Sequence, residues 1–237
     1  FIAILGQNGS GKTTLAKHLN GLLKPECGDV LVAGASVKQR KAADIARYVG
    51  YVFQNPDHQI FEETILNEVL FGPKRLNLPE QTAMQQAKDS LETVGLWEQR
   101  AEDPFMLTKG MRQKVAVASV LATRPRAIVM DEPTTGLDYG ELKTMMALVK
   151  RLNEQGHTIV MVTHCIWIAS QYAHRTVLMS DGKIISDGPT REIFSREDLL
   201  EQAGIIPPQI VRFSSRLGIP ALSVDEFMMC CGRNAGG

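Results

Sequence analysis

The sequence carries no excess of charge: 26 Lys and Arg balance 26 Asp and Glu, for a formal net charge of +0. Proteins that hold nucleic acid along their surface usually present a basic excess, so a general nucleic-acid function is disfavoured, although a local basic patch remains compatible with this balance. Cysteine is scarce. Four in 237 residues do not make a disulfide framework, and none stands near His or another Cys at zinc spacing. Cys27 and Cys165 are isolated and Cys230 and Cys231 are adjacent. All four read as free thiols in a reducing compartment, the tail pair as incidental rather than palmitoylated. No apolar run approaches the roughly 18 residues that a membrane helix needs, and no secretory leader is legible. The chain opens on an apolar run at Phe1 without an initiator Met, so residues upstream of Phe1 are expected to be missing. Hydrophobic residues at 44% and charged residues at 22% exclude the disordered and collagen classes. A chain this long buries its own core, as one large domain or one domain with a small appendage.

What is there alternates. Residues 1–5 read as a buried strand, 6–13 as a loop and 14–23 as a helix. Residues 29–32, 48–53, 127–130, 158–162 and 176–179 read as further strands. Met84, Ala87, Leu91 and Val94 stand at helical spacing over residues 81–94, and Leu142, Met145, Met146, Val149 and Leu152 give the inner face of a helix that stops at Gly156. Asp181 and Gly182 predict a hairpin turn into a strand over residues 183–186. Strands alternating with helices imply an α/β domain with a largely parallel sheet. The mostly helical stretch from about residue 51 to 104 interrupts the alternation as an inserted subdomain. After about residue 195 short helical segments (197–203, 208–217, 224–229) separated by Gly and Pro suggest a C-terminal appendage.

Gly6, Gln7, Asn8, Gly9, Ser10, Gly11, Lys12 and Thr13 match the phosphate-loop pattern of Gly, four residues, then Gly-Lys-Thr. Consecutive backbone N–H groups in such a loop form a nest for phosphate oxygens, and the helix that follows adds partial positive charge. Lys12 then reaches the outer phosphates and the Thr13 hydroxyl ligates Mg²⁺. The motif lies between a predicted strand and a predicted helix, the context its mechanism demands. Residues 127–130 end in Asp131 and Glu132. Asp131 is placed to hold Mg²⁺, directly or through water, and Glu132 to polarise an attacking water as general base. Alone that pair is a weak signal; behind a phosphate loop it defines a P-loop NTPase. No guanine-reading Asn-Lys-x-Asp occurs, which excludes the common GTPase pattern.

Further motifs fall in a fixed order. Leu107-Thr-Lys-Gly-Met-Arg-Gln-Lys114 resembles the ABC signature, whose usual form is Leu-Ser-Gly-Gly-Gln. Gln54 resembles the Q-loop glutamine, Thr135-Gly-Leu-Asp138 the D-loop and His164 the switch histidine. Together they identify the chain as similar to ABC transporter ATPases. The stretches 52–61 and 68–73, Asp103-Pro-Phe105, Ala203-Gly-Ile-Ile-Pro-Pro208 and Arg216-Leu-Gly218 further resemble the ATPase subunits of energy-coupling factor transporters, including the cobalt-type branch. The resemblance covers essentially the whole chain. It implies a RecA-like P-loop core with a helical insertion at about residues 55–125 inside an ATPase domain of residues 1–195. Residues 196–237 would form a helical appendage that adds subunit contacts, and the N-terminal strands of the family would be missing.

The resemblance also implies a head-to-tail dimer, homo- or heteromeric, in which each ATP lies between the phosphate loop of one subunit and the signature of the other. Residues 6–13 with Thr14 and Gln54 would hold ATP, joined by Thr108, Gly110 and Asp138. Thr13, Gln54 and Asp131 would serve Mg²⁺, Glu132 the water and His164 the γ-phosphate. The chain would sit on the cytoplasmic face of the cell membrane against a transmembrane coupling protein, with a separate membrane subunit choosing the cargo, a vitamin or a transition-metal ion.

This sequence departs from the pattern in two ways. Lys109 stands where the signature usually has glycine and Met111 where it has glutamine, while Thr108 keeps the hydroxyl and Gly110 is retained. The expectation is a heterodimer in which this chain donates a weakened signature to its partner. Second, no residue of this chain takes the role of the adenine-stacking aromatic that the family carries upstream of the phosphate loop. Two other readings follow from the same residues: an ATPase subunit of another ABC group, or a weakly hydrolysing partner. DNA-repair ATPases need a long coiled-coil insertion that the 95 or so residues between loop and signature cannot supply. Translation-type factors carry two such domains in one chain.

Overall fold

The computed structural model describes residues 1–219 and 221–234. Pro220 and the last three residues of the expected appendage lie outside the described residues. In chain order the elements are β1 (Ile2–Gly6), α1 (Lys12–Leu19), β2 (Leu31–Val32), β3 (Ala35–Ser36), α2 (Ala42–Ile45), β4 (Val49–Val52), α3 (Ile65–Arg75), α4 (Glu80–Val94), α5 (Lys109–Leu121) and β5 (Ala127–Asp131). There follow α6 (Tyr139–Glu154), β6 (Thr158–Val162), α7 (Ile166–Tyr172), β7 (Arg175–Ser180), β8 (Lys183–Pro189), α8 (Thr190–Phe194), α9 (Glu197–Gln202), α10 (Gln209–Arg216) and α11 (Val224–Asn234). The chain divides into two compact units, one made of Phe1–Thr13 and Met161–Gly237 and the other of Thr14–Val160.

In the first unit β1 lies beside β7, and β8 follows β7. β1 and β7 run parallel, Ile4 opposite Val177 and Leu5 opposite Leu178. Ala3, Ile4, Leu5 and Leu178 are buried, as expected of strands covered on both faces. β7 and β8 form the expected hairpin. Its turn puts Asp181 and Gly182 both at positive φ, 49° and 76°, the backbone of a type I′ turn. α7 packs on β1, and α8 and α9 pack on β7, with Phe194 and Leu200 fully buried.

In the second unit β4 lies beside β5, parallel to it, with Gly50 opposite Ile128. Gly50 has no room for a side chain, because a Cβ there would overlap Val120; this lets α5 lie close on β4. Helices α3, α4 and α5 pack on one another through faces that include Val69, Leu91 and Val115, all fully buried. α3 starts at Thr64, whose hydroxyl accepts from Asn67 N–H, and α4 stops at Gly95 with φ 74°, a left-handed cap that favours glycine.

The strands are those expected from sequence, with shifted ends. The helix expected over 14–23 begins at Lys12 and ends at Leu19, because Gly21 takes φ +73° and turns the chain out of the helix. The strand expected over 29–32 shrinks to Leu31–Val32, which pairs with Ala35–Ser36 around Ala33 and Gly34 at φ 48° and 76°. This small hairpin was not legible as a turn, since Ala rarely takes positive φ. In α6, Leu142 is half-buried and Leu148 is buried in its place. The inner stripe therefore starts one turn later than the spacing suggests. All four cysteines are free. No helix among the described residues is long and apolar enough to cross a membrane.

Candidate functional site

In the first unit the loop after β1 is held by its own backbone. Gly6 ends the buried strand, and a Cβ on it would overlap the Met179 carbonyl and lie 2.7 Å from Ser10 Oγ. Glycine is therefore required for close approach, and Gly9 and Gly11 take φ of +83° and +93°, where a side chain is strained. The Gln7 carbonyl accepts from Ser10 N–H at 3.1 Å and from Lys12 Nζ at 2.8 Å. Lys12 Nζ also donates to the Gly6 carbonyl at 2.9 Å, so its ammonium curls across the loop. The Ser10 carbonyl accepts from Gly182 N–H at 3.2 Å, which braces the loop against the β7–β8 turn.

Gln7, Asn8, Gly9 and Thr14 are exposed, while Gly11 and Thr13 are half-buried. Ser10 Oγ is buried without a hydrogen-bond partner. An orphaned hydroxyl, glycines at positive φ and a lysine in reach of the loop are the chemistry a phosphate group needs. His164 lies in the same unit, exposed, two residues beyond β6. Its neighbour Thr163 is fastened to β1 by donation to the Ile4 carbonyl at 3.2 Å.

In the second unit Asp131 ends β5 and is 4% exposed. Its Oδ2 accepts from the Tyr51 hydroxyl at 3.0 Å. Burial, and then the Asp131 carboxylate beside it, push the Tyr51 hydroxyl well above the usual tyrosine range. Glu132 follows with φ 46°, a left-handed backbone that costs about 1–3 kcal/mol for a side-chain residue. The strand ends at Asp131, and Glu132 is half-buried. Its Oε2 accepts from Gln54 Nε2 at 3.1 Å and from Thr135 Oγ1 at 3.0 Å. The segment carrying Gln54 is fixed to α5: Gln113 Nε2 donates to the Phe53 carbonyl at 3.3 Å and Gln59 Nε2 to the Ala116 carbonyl at 2.9 Å.

A separate cluster joins the signature to the D-loop. Thr108 caps α5 by accepting from Met111 N–H at 3.3 Å, and its hydroxyl lies 3.4 Å from Glu141 Oε1. Glu141 also closes a capping box at the start of α6. Asp138 Oδ1 accepts from Glu141 N–H at 2.8 Å, and Glu141 Oε2 accepts from Asp138 N–H at 3.3 Å. Gly110 faces this carboxylate, since a Cβ there would come within 2.5 Å of Glu141 Oε1. Lys109 turns its ammonium onto Gly136, where a Cβ would lie 2.6 Å from Nζ.

The residues expected to share chemistry thus form three groups: the loop over 6–13 with its brace, Gln54 with Glu132, and Thr108, Gly110 and Asp138 around Glu141. Sequence reasoning missed Tyr51 and Glu141, and it named Thr135 only as the first residue of the D-loop, without its bond to Glu132. The spacing of Asp138 and Glu141 is a capping-box pattern that would have flagged Glu141; the Tyr51 hydroxyl, 80 positions from Asp131 with three helices between them in the chain, leaves no sequence signal.

The family model described as "ABC transporter" matches residues 1–135. A protein of Caldanaerobacter subterraneus, provisionally named an ABC transporter ATP-binding protein, is 52% identical over 98% of this chain, which spans only 41% of that protein's length. The energy-coupling factor transporter ATP-binding protein EcfA2 of Clostridium perfringens is 38% identical, covering 95% of this chain and 81% of its own. Among solved structures, CbiO1 of Clostridium perfringens, part of the ABC transporter complex CbiONQ, superposes with a TM-score of 0.75 at 30% identity. That match covers 92% of this chain and 87% of CbiO1. The ATP-binding cassette MJ0796, dimeric and bound to ADP and Pi, gives a TM-score of 0.71 at 29% identity, covering 81% of this chain and 85% of its own.

Proposed function

The chain belongs to the ABC transporter family, and from that premise we propose that it binds Mg-ATP and hydrolyses it as the ATPase subunit of an energy-coupling factor importer. The observation that carries the reading is the loop over residues 6–13. Lys12 Nζ is pre-placed on two loop carbonyls, Gly9 and Gly11 take positive φ, and Ser10 Oγ is an unpartnered buried donor. Thr13 and Asp131 are the oxygen donors that would hold Mg²⁺, a cation that is commonly completed by one or two carboxylates and substrate phosphates. The ion supplies charge neutralisation on the phosphates. Gln54 and Thr135 orient Glu132 toward a water, and His164 acts on the γ-phosphate side.

Similarity to EcfA2 and CbiO1 supports the importer branch and its partners: a second ATPase subunit, a transmembrane coupling protein and a membrane subunit that chooses a vitamin or metal-ion cargo. The chain would then lie on the cytoplasmic face of the membrane. In this reading residues 1–195 make the ATPase domain, with the helical insertion at about 55–125, and residues 196–237 serve subunit contact. ATP itself would join two subunits, since one phosphate loop lacks groups on the far side of the γ-phosphate.

A second reading has its own observation. Lys109 lies on Gly136 and the Glu141 carboxylate lies beside Gly110, so side chains crowd the start of α5 where the family keeps glycine. This favours a heterodimer to which the chain donates a weakened signature. Mg-ATP hydrolysis by the purified chain, measured across protein concentration with E132Q as control, separates the readings. Turnover per chain that rises with concentration and vanishes in E132Q means a catalytic homodimer. Binding without turnover, restored by a partner ATPase with an intact signature, means the heterodimer. No nucleotide binding at all would sink both.

A further inference from the structure

Tyr51 lies on β4 opposite Val129 of the parallel strand β5. Side chains alternate along a strand, so residue 131, two beyond Val129, faces the same side of the sheet as Tyr51. Two residues of advance and one strand spacing set a diagonal of about 8 Å between the two backbones. The Tyr51 side chain spans it, and its hydroxyl donates to Asp131 Oδ2 at 3.0 Å. Phe has the length without the donor, and Ser or Thr holds its hydroxyl too near the backbone. Both ends of the contact are buried, Tyr51 at 7% and Asp131 at 4% exposure. The Tyr51 ring is held as well, edge-on to Phe53 with centroids 4.9 Å apart. A buried hydroxyl on a packed ring keeps one direction, and so does the carboxylate that it bonds.

Asp131 is the last residue of β5, at the carboxyl end of the strand, where ligands of parallel α/β sheets gather. Carboxylates that hold a metal are in turn held by an outer hydrogen-bond partner, and loss of that partner typically costs about 10–100-fold in metal affinity. We infer that Tyr51 is a positioning residue for Asp131, fixing the orientation in which that carboxylate meets Mg²⁺. This rests on the proposal that the chain binds Mg-nucleotide with Asp131 serving the ion. If the bond served core stability alone, its loss would ease unfolding and leave the demand for the ion unchanged.

The test uses the full chain and ADP as probe, titrated first in EDTA and then against Mg²⁺ at fixed ADP. Tyr51→Phe keeps the ring and removes only the donor. It should bind ADP in EDTA as wild type does, and should need about 10–100-fold more Mg²⁺ to reach half of the ion's effect on ADP binding. An unchanged Mg²⁺ requirement overturns the inference. So does an equal loss of ADP affinity with and without Mg²⁺, which would make Tyr51 a residue of the fold and not of the ion. Tyr51→Phe added to Asp131→Asn should cost nothing beyond Asp131→Asn, since the hydroxyl acts through that carboxylate; a further loss overturns the inference. Should Tyr51→Phe fail to fold, Mn²⁺ in place of Mg²⁺ decides on the wild-type chain. With ADP present, Mn²⁺ should broaden the Tyr51 ring signals in NMR spectra of labelled tyrosine. A Tyr51 signal left sharp at saturating Mn²⁺ overturns the inference. Wild type that binds no ADP overturns the nucleotide reading and this inference with it. Wild type that binds ADP without any response to Mg²⁺ leaves nucleotide binding standing and overturns the role of Tyr51.

Discussion

Gln54 Nε2 donates to Glu132 Oε2 across 3.1 Å, joining residues 78 positions apart in sequence. The bond fixes a carboxylate at the end of a buried strand, on a residue whose own backbone is held at φ 46°. Strain and a side-chain tether at the same residue mark a carboxylate kept in one orientation.

Glu132→Gln should therefore lower kcat for Mg-ATP by a factor on the order of 10²–10⁴, the usual contribution of a positioned general base, while nucleotide affinity is retained. Gln54→Ala should lower kcat less, since Thr135 still holds the same oxygen. Steady-state kinetics read both; an E132Q chain turning over at the wild-type rate removes Glu132 from the mechanism.

Tyr51 and Asp131 make a buried pair, and burial and the carboxylate keep the Tyr51 hydroxyl neutral well past the ordinary range. A folded-state value raised above the unfolded one gives stability that is present below the ordinary pKa and is lost as pH rises through the raised one. Tyr51→Phe should cost about 1.5–3 kcal/mol at neutral pH, the range for hydrogen bonds to charged groups, measured by urea unfolding. A variant as stable as wild type would show that water replaces the hydroxyl.

Glu68, 3% exposed at the start of α3, accepts from Phe61 N–H and Glu62 N–H at 3.0 and 3.1 Å. Burial raises its carboxyl against those bonds. The protonated form is thus favoured by folding. Its stabilising contribution is full below the ordinary value of 4.5 and declines as pH rises through the higher folded value. Glu68→Gln accepts the same N–H groups without titrating. The stability of wild type relative to E68Q should fall as pH rises above 4.5 in urea melts; a difference that does not change with pH refutes the shift.

Glu141 closes the α6 capping box and reaches Thr108. Its replacement by Ala should cost about 1 kcal/mol as a lost cap, read by thermal unfolding. Lys109→Gly, in complex with a partner ATPase, should raise turnover by freeing the start of α5. Unchanged turnover would mean that Lys109 is tolerated where it stands.

The appendage exposes Phe213, Leu217, Met228 and Met229 at more than half of their surface, and Phe213 meets Phe227 edge-on. If residues 196–237 serve subunit contact, Phe213→Ser with Met228→Ser should weaken self-association at least about tenfold by sedimentation, without lowering the melting temperature, because single exposed side chains contribute little to folding. Unaltered association would assign the contact elsewhere.

The sequence alone determined the strand-loop-helix phosphate motif, the strand that ends in Asp131 and Glu132, and the order of motifs from Gln54 to His164. Each is local: glycines that permit positive φ, an apolar run that ends in acids, a hydroxyl that caps a helix. Apolar periodicity likewise placed α4 and α6, because one helix face must be buried. Tertiary structure alone decided which side chain holds which. Tyr51 on Asp131, Gln54 on Glu132 and Thr108 on Glu141 pair residues 33 to 80 positions apart. Such pairs depend on which strands lie side by side and how closely a helix approaches, quantities that no local pattern encodes. The Glu132 backbone belongs to the same class, since a positive φ at a side-chain residue is imposed by its surroundings against its own preference.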